Sequence, residues 1–391
     1  MVKRLGLERV RSEIDKCFRC GYCRETPRPL SGAYLMCPVR EELKFEQYDA
    51  RGRNLIARAL VEGKLDYTQK LIESVYTCCT CGLCTELCPM FQGAKVDTPK
   101  IIRAWREEIV EKGLGPPDIL REVNHTTERN YNPFGKAANE RRRWANGIEI
   151  ARKADVLYFV GCYASYKQPE IARSAANILT KSNVKFTVLK DEKCCGLPQM
   201  WNGEAKLGEK FVSSNVAAIR ETGAKKVVAT CPGCYMALRS DYPEITGNAL
   251  DFEVYHMSEF LADLVDKGGL EFKKINKRVT YHDPCHLGRY SKIYEQPRKV
   301  IEAIPGIEFA EMKRNRADSA CCGSGIVVAP TFPKLSLSIA DKRIEEAKDT
   351  NAEIIVTTCP SCVTQLKLAA RRMRSSIEVV DLVDLVVRAL K

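Results

Sequence analysis

The chain has 391 residues, of which 45% are hydrophobic, enough for two or three domains that each bury a core. Its net charge of +12 is spread along the chain, which argues against a nucleic-acid-binding protein with one basic stripe. There is no signal peptide and no apolar run of membrane-helix length, so we expect a soluble intracellular protein whose nineteen cysteines stay reduced and bind metal.

Two cysteine runs stand in the first quarter of the chain, after a short amphipathic helix predicted over residues 5–16. Each run reads Cys-x-x-Cys-x-x-Cys, and a Cys-Pro pair follows it. In two-cluster ferredoxins the fourth cysteine of each run binds the other cluster. The spacing therefore predicts two cubane [4Fe–4S] clusters, one held by Cys17, Cys20, Cys23 and Cys88 and the other by Cys78, Cys81, Cys84 and Cys37. Zinc is the alternative, but this is not a usual zinc spacing.

Helical spacing of apolar residues over 41–77, and again over 100–112, predicts a helical type of ferredoxin domain spanning residues 1–115. Residues 116–150 lack a strong period and are predicted to be a connector along the surface, anchored by packing of Trp105 and Trp144. The basic run Arg141, Arg142 and Arg143 is interpreted as a solvated face. Cys79 belongs to neither ligand set and is interpreted as a small buried apolar residue.

The spacing of apolar residues changes from a helical pattern to short continuous runs after residue 150. Short apolar runs at 156–160, 186–189, 227–229 and 252–255 predict buried strands, and residues 168–180 and 203–222 predict helices between them. A chain in which strands alternate with helices forms a mostly parallel sheet with helices on its faces. We therefore expect an α/β domain over residues 151–270.

The same unit occurs a second time, over residues 271–391. Strands are predicted at 279–281, 307–309, 354–356 and 377–380, and corresponding cysteines lie 123 to 128 residues apart. The fold class is thus α+β multi-domain: a helical ferredoxin domain followed by a duplicated α/β cysteine-rich domain with mostly parallel sheets. Two copies are too few for a solenoid, so we expect them to pack as a pseudo-twofold pair with a site between them.

Each repeat carries five cysteines, whereas a structural zinc or a cubane cluster takes four ligands. Ligands bind beyond the carboxyl ends of the strands in open α/β sheets, and the five thiols of each repeat are predicted to meet there. Two matched sets of five indicate metal sites rather than chance burial in a core. The sets are Cys162, Cys194, Cys195, Cys231 and Cys234 in the first repeat, and Cys285, Cys321, Cys322, Cys359 and Cys362 in the second.

Neighbouring residues fit such sites. Gly196 and Gly323 would allow a tight turn and a close approach to a cluster. Pro232 and Pro360 suit the first position of a helix, so that Cys231 and Cys359 would cap helix starts.

Histidine is scarce, with four residues in the chain. His286 directly follows Cys285 and is a candidate proton donor to a leaving thiolate, the alternative being a hydrogen-bonded loop residue. His256 and His282 end strands and are interpreted as structural, and no role is predicted for His125.

With these motifs in view, the chain resembles the D-subunit family of heterodisulfide reductases, which joins a two-cubane ferredoxin domain to two cysteine-rich (CCG) domains. The resemblance covers almost the whole chain and includes all ten repeat cysteines. It implies one noncubane [4Fe–4S] cluster in each repeat, facing a cavity where the mixed disulfide of coenzyme M and coenzyme B is cleaved. It also implies a membrane b-type cytochrome as partner, and hence a peripheral position on the cytoplasmic membrane face.

Two clusters suit this reaction, because reduction of a disulfide takes two electrons and the cluster of each repeat would supply one. The substrate is anionic, which suits a basic protein. Two alternatives stay open. The chain would be a non-catalytic relay subunit of a flavin-dependent 2-hydroxyacid or glycerol-3-phosphate dehydrogenase with a soluble flavoprotein partner, or a related persulfide or trisulfide reductase. Two intact five-cysteine motifs favour the heterodisulfide reductase.

Overall fold

A computed structural model describes residues 6–26, 34–88 and 95–391. Residue 5 of the first predicted helix and Pro89 of the second Cys-Pro pair lie outside these ranges. Within them, no helix is long and apolar enough to cross a membrane.

The N-terminal part is helical, as the apolar spacing predicts. Two short strands, Glu25–Thr26 (β1) and Tyr34–Leu35 (β2), pair antiparallel between the first cysteine run and Cys37. The predicted first helix is interrupted at Val10. The helices are Gly6–Arg9 (α1), Arg11–Asp15 (α2), Pro38–Leu43 (α3), Ala50–Val61 (α4), Gln69–Tyr76 (α5), Leu83–Glu86 (α6) and Thr98–Glu111 (α7).

The segment predicted as a connector contains more regular structure than its weak period indicates. Asp118–Asn130 forms a helix (α8), and Ala138–Ala145 forms a 3₁₀ helix. Leu120 is buried, but the remaining face of α8 is largely polar, which explains why apolar spacing did not reveal the helix. Trp105 and Trp144 are buried, as predicted.

The first repeat forms a four-stranded sheet in the order β4-β3-β5-β6, with every pair of neighbours parallel. Its strands and helices alternate as predicted. They are Val156–Phe159 (β3), Gly161–Tyr166 (α9), Pro169–Lys181 (α10), Phe186–Thr187 (β4), Leu197–Asn202 (α11), Ala205–Thr222 (α12), Lys226–Ala229 (β5), Pro232–Met236 (α13), Tyr242–Thr246 (α14), Glu253–His256 (β6) and Met257–Asp266 (α15).

The second repeat has the corresponding sheet order, β8-β7-β9-β10, and its pairs are also parallel. The duplication predicted from the cysteine spacing is therefore present in the topology. Its elements are Lys277–His282 (β7), Glu295–Glu302 (α16), Ile307–Phe309 (β8), Val328–Thr331 (α17), Pro333–Lys348 (α18), Ile354–Thr357 (β9), Pro360–Arg372 (α19), Glu378–Asp381 (β10) and Leu382–Ala389 (α20).

The repeats pack on each other reciprocally. Helix α10 of the first repeat contacts α20 of the second, and the equivalent helices α16 and α15 contact each other in turn. Ser174 donates a 2.7 Å hydrogen bond to Asp384 across the α10–α20 contact. Buried residues from both sheets, including Tyr158 and Tyr281, belong to one apolar cluster. The two repeats therefore share a core.

The ferredoxin part is fixed to both repeats by buried polar side chains. Arg106 on α7 donates to the carbonyl oxygens of Cys78, 2.8 Å away, and Trp201, 3.0 Å away. Tyr290 of the second repeat donates a 2.6 Å hydrogen bond to the carbonyl oxygen of Thr80. The loop that holds the second cysteine run is therefore positioned by contacts outside its own domain.

Candidate iron–sulfur centres

Two cavities in the ferredoxin part gather the cysteines of the predicted cubane sets. One contains all four members of the first set and the other all four members of the second, while Cys84 lines both. The structure thus brings together cysteines that are up to 71 residues apart, Cys17 and Cys88. That these thiols hold two cubanes stays a prediction.

The two ferredoxin cavities differ in exposure and charge. Cys20, in the first, is exposed to solvent. The second is lined by Arg53, which is 2% exposed and donates to Thr77 rather than to a carboxylate. A buried cation without an acidic partner among the described residues costs free energy unless other negative charge lies nearby. Thiolates and a bound cluster would supply that charge.

A third cavity, of about 350 Å³, lies between the two repeats and is lined by all ten of their predicted ligand cysteines. The predicted site between the repeats is therefore present as a geometric feature. The described lining residues include no Lys, Arg, Asp or Glu, so apart from its cysteine thiols the wall is uncharged and mostly apolar. The basic character of the chain does not extend into this cavity.

Each repeat contains a vicinal pair of cysteines, Cys194–Cys195 in the first and Cys321–Cys322 in the second. The second cysteine of each pair has a lowered pKa. Interaction with the Cys194 thiol, and then with that of Cys234, lowers the pKa of Cys195 to about 6. The equivalent interactions with Cys321 and Cys362 lower the pKa of Cys322 to about 6. A low pKa favours the thiolate, which is the form that binds metal.

The turn after each vicinal pair has the predicted left-handed backbone, with φ of 84° at Gly196 and 79° at Gly323. The structure adds a second reason for glycine, while the close approach to a cluster stays a prediction. A Cβ atom would lie 2.8 Å from the carbonyl oxygen of Gly208 in the first repeat and closer still to that of Ser336 in the second. Glycine is therefore required by the packing of the turns on α12 and α18.

Helices α13 and α19 begin at the predicted prolines, and Cys231 and Cys359 occupy the preceding N-cap positions. Neither cysteine side chain caps a helix N–H group. The Cys359 sulfur instead lies 3.3 Å from the hydroxyl oxygen of Ser361.

Arg141 corrects the interpretation of the basic run as a solvated face. Only Arg142 and Arg143 are exposed, whereas Arg141 is 5% exposed and pairs with buried Glu192 at 2.6 Å. Its Nη2 atom also lies 3.5 Å from the sulfur of Cys162. In the second repeat, burial alone would lower the pKa of Arg289, but the surrounding thiols outweigh burial and raise it.

Each repeat therefore has one buried guanidinium beside its thiols. This arrangement fits a polyanionic iron–sulfur cluster, because the cation offsets charge that a buried site cannot leave to water.

His286 lines the cavity between the repeats, as its proposed role requires. Its ring packs against Trp201 and Tyr290, each with a centroid distance of 5.2 Å. Burial, and then Arg289, lower the pKa of His286 to about 4. The ring is therefore neutral near pH 7, and a neutral imidazole is too weak an acid to protonate a thiolate. A donor role requires that His286 first takes up a proton from solvent.

The remaining histidines agree with structural interpretations. His256 ends β6, and its Nδ1 atom accepts a hydrogen bond from the Ser258 amide at the start of α15. Asp381 ends the matching strand β10 of the second repeat, and its carboxylate accepts a hydrogen bond from the Val383 amide at the start of α20. His282 ends β7 and is buried.

Sequence reasoning missed two sets of residues near the central cavity. Cys79 is buried, as predicted, but it also lines both the second ferredoxin cavity and the cavity between the repeats. The connector contributes the apolar side chains of Leu120, Val123 and Phe134 to the same wall. The spacing of apolar residues cannot predict that Cys79 and these connector side chains line the cavity, because their positions depend on how separate domains pack together.

Comparison with known families agrees with the predicted order of domains. Residues 13–91 match a 4Fe–4S dicluster domain, and residues 156–239 and 279–367 each match the cysteine-rich CCG domain. The D subunit of the dihydromethanophenazine:CoB–CoM heterodisulfide reductase of Methanosarcina barkeri is 34% identical over 389 residues, which are 97% of this chain and 94% of that protein. The chain belongs to the D-subunit family of heterodisulfide reductases. Like its relatives, it is an iron–sulfur oxidoreductase.

Members of other groups share this architecture. The B subunit of the fumarate reductase (CoM/CoB) of Methanothermobacter marburgensis is 32% identical over 75% of this chain and 57% of its own. The EtfAB:quinone oxidoreductase of Syntrophomonas wolfei is 29% identical over 97% of this chain and 58% of its own. Membership of the D-subunit family therefore rests on the match across nearly the full length of both chains.

Proposed function

We propose that this chain is the catalytic subunit of a heterodisulfide reductase and cleaves the disulfide of coenzyme M and coenzyme B. The observation that carries the proposal is the single cavity lined by all ten repeat cysteines. A relay protein needs cluster sites in series near one another, but it needs no space between the last two. The two clusters would fill part of this cavity, and the space that joins them is what a substrate would occupy.

The chemistry of the cavity suits a disulfide. Apart from the cysteine ligands, its wall is uncharged and mostly apolar, which suits a sulfur–sulfur bond that carries no charge. The anionic groups of the substrate would remain outside it, toward the basic surface of the protein. Leu120, Val123 and Phe134 of the connector exclude water from the reacting sulfurs.

Two cubane and two noncubane [4Fe–4S] clusters, when bound, would supply the electrons, which the protein receives one at a time. The positions of the cysteine sites support transfer from the ferredoxin clusters to the clusters of the repeats. Cys20 is exposed, Cys84 lines both ferredoxin cavities, and the thiols of Cys81 and Cys321 are close enough that each changes the pKa of the other. Electrons would enter near Cys20 and reach the second repeat first.

Cleavage consumes two electrons and two protons and yields two thiols. The chain's own contribution is to hold the substrate and to provide the protons. His286 is the candidate donor, because it lines the cavity and packs against Trp201 and Tyr290. It would first take a proton from solvent and then pass that proton from the imidazolium to the thiolate. The buried guanidiniums of Arg141 and Arg289 stabilise negative charge that develops on sulfur.

For the partner, we propose a membrane b-type cytochrome that delivers electrons at the face of the ferredoxin part where Cys20 is exposed. This partner would hold the chain at the cytoplasmic face of the membrane. A soluble flavoprotein is the alternative donor, and co-purification of the native complex distinguishes the two by haem or flavin content.

The test is anaerobic turnover of iron-replete protein with reduced viologen and the coenzyme M–coenzyme B disulfide. The proposal predicts dye oxidation that depends on the disulfide and releases two thiols for every two electrons. A rate of dye oxidation that does not increase when this disulfide is added would instead favour a relay subunit. Oxidation that responds only to a persulfide or trisulfide would favour the related reductase.

A further inference from the structure

The sites of the two repeats differ at one buried position. His282 stands three residues before Cys285, and Phe159 stands three residues before Cys162. Both residues end equivalent strands, β7 and β3, and both are almost fully buried, at 1% and 0% exposure. The second repeat thus has a polar ring where the first has an apolar one.

His282 lies against the sulfur atoms of its site. One of its ring nitrogens and the sulfurs of Cys322 and Cys362 all lie within 4.8 Å of one another. The two sulfurs are 3.2 Å apart. In the first repeat, Phe159 packs in the same apolar cluster as Cys195 and Cys234, the matching cysteines.

The proton on the His282 ring is placed by Arg343. The guanidinium Nε atom of Arg343 donates a 3.0 Å hydrogen bond to His282 Nδ1, so Nδ1 is the acceptor and Nε2 carries the hydrogen. Arg343 is itself 0% exposed and is held by an ion pair with Glu346 at 2.5 Å and a 2.8 Å hydrogen bond to the carbonyl oxygen of Arg314. Its orientation, and with it the tautomer, is therefore fixed.

The Nε2–H group has no hydrogen-bond partner, sulfur included, among the described residues. A buried donor without an acceptor is costly, so such groups are rare in folded proteins. Sulfur of a bound cluster is an acceptor, and the sulfurs of Cys322 and Cys362, which would hold a cluster, lie near the ring. Asn215 occupies the position in α12 that matches Arg343 in α18, and it bonds the carbonyl oxygen of Cys194 instead.

We propose that His282 donates its Nε2–H to sulfur of the cluster held at Cys322 and Cys362 and thereby raises the reduction potential of the second-repeat cluster. A hydrogen bond to cluster sulfur stabilises the reduced, more negative state. Phe159 provides no such bond in the first repeat, where Arg141 lies beside Cys162 instead. The potentials of the two sites are then set by different groups. This inference rests on the clusters of the proposed function, but not on any substrate.

The test is redox titration of the full-length, iron-replete protein followed by electron paramagnetic resonance. In His282→Phe, the midpoint of one cluster is expected to shift to a more negative potential, with iron content and the other midpoints unchanged. Cys194→Ser, which removes a first-repeat ligand, assigns the signals. His125→Phe, at an exposed histidine of α8, is the control and should shift nothing.

Two results would overturn the inference. An unchanged midpoint in His282→Phe means that the ring donates nothing to the cluster, and loss of one cluster's iron means that His282 is a ligand. If His282→Phe does not fold, His282→Gln and electron–nuclear double resonance of ¹⁵N-histidine-labelled protein decide the question. A weak, non-ligand nitrogen coupling that disappears in His282→Gln and persists in His286→Gln supports the inference, and its absence overturns it.

Discussion

Arg289 of the second repeat donates a 2.7 Å hydrogen bond from Nε to the carbonyl oxygen of Cys81, in the second ferredoxin run. The same guanidinium donates to the carbonyl oxygen of Ser319, 2.7 Å away, just before the vicinal cysteines. One buried side chain thus fixes the distance between two predicted cluster sites. Electron transfer between them depends on that distance.

We expect Arg289→Ala to destabilise the protein by about 1–3 kcal/mol for each buried carbonyl left without a donor. Cluster-to-cluster electron transfer into the second repeat should slow as well. Anaerobic thermal unfolding and rapid-mixing reduction measure the two effects. Arg220→Ala is the matched control, because Arg220 is half exposed and its pair with Asp251 should contribute less than about 1 kcal/mol. Equal unfolding temperatures of the two variants would contradict this expectation.

The neighbours Cys78 and Cys79 should differ in iron content. Cys78→Ala is expected to lose about four of roughly sixteen irons per chain, since it removes a predicted ligand. Cys79→Ala should keep them all, although Cys79 lines two of the cavities. Iron and sulfide analysis after identical reconstitution measures both. Similar losses in the two variants would mean that Cys79 is a ligand too.

His286→Gln should reduce disulfide-dependent turnover by about 10²-fold or more while leaving the iron content unchanged, since the variant removes the proton donor and not a ligand. Rates with reduced viologen, measured beside iron content, separate the two effects. His125→Gln, at an exposed histidine, should retain full turnover. If His286→Gln also retained it, another group would have to supply the proton.

His256 makes stability depend on pH. Burial lowers the pKa of His256 to about 4, whereas an unfolded chain has a histidine pKa near 6.5. The unfolded state therefore binds the proton more readily, and the contribution is fully present above pH 6.5 and is lost as pH falls toward 4. At pH 5 the loss is about 2 kcal/mol.

His256→Asn retains a side chain that can cap α15 but does not titrate. The difference in unfolding temperature between wild type and this variant should therefore change in favour of the variant between pH 7.5 and pH 5. A difference that stays constant over this range would show that His256 does not titrate on unfolding.

The topology was predictable because its signals are local. Strand ends at Ala229 and Thr357 are followed within two residues by cysteine and then by proline, which begins a helix. The grouping of the ferredoxin cysteines around two cavities was predictable because the Cys-x-x-Cys-x-x-Cys spacing is a known pattern, although each cavity takes a fourth cysteine from a distant segment. The fold class and both sheets follow from such patterns.

What the sequence did not predict depends on contacts between distant segments. Arg141 is buried because Glu192, 51 residues away, pairs with it. Helix α8 was missed because its buried face contains few apolar residues: Leu120 is buried there together with Asn124 and Thr127. The lack of Lys, Arg, Asp and Glu among the described lining residues of the central cavity could not be inferred from a chain with a net charge of +12.

The central claim is that both repeats serve one reaction in one cavity. Steady-state reduction of the coenzyme M–coenzyme B disulfide by Cys194→Ser and Cys321→Ser tests it most directly, because each variant removes a predicted ligand from one repeat. Iron content is measured on the same samples. We predict that each variant retains the other three clusters and that both lose turnover by about 10²-fold or more. Full turnover by either variant would contradict the claim.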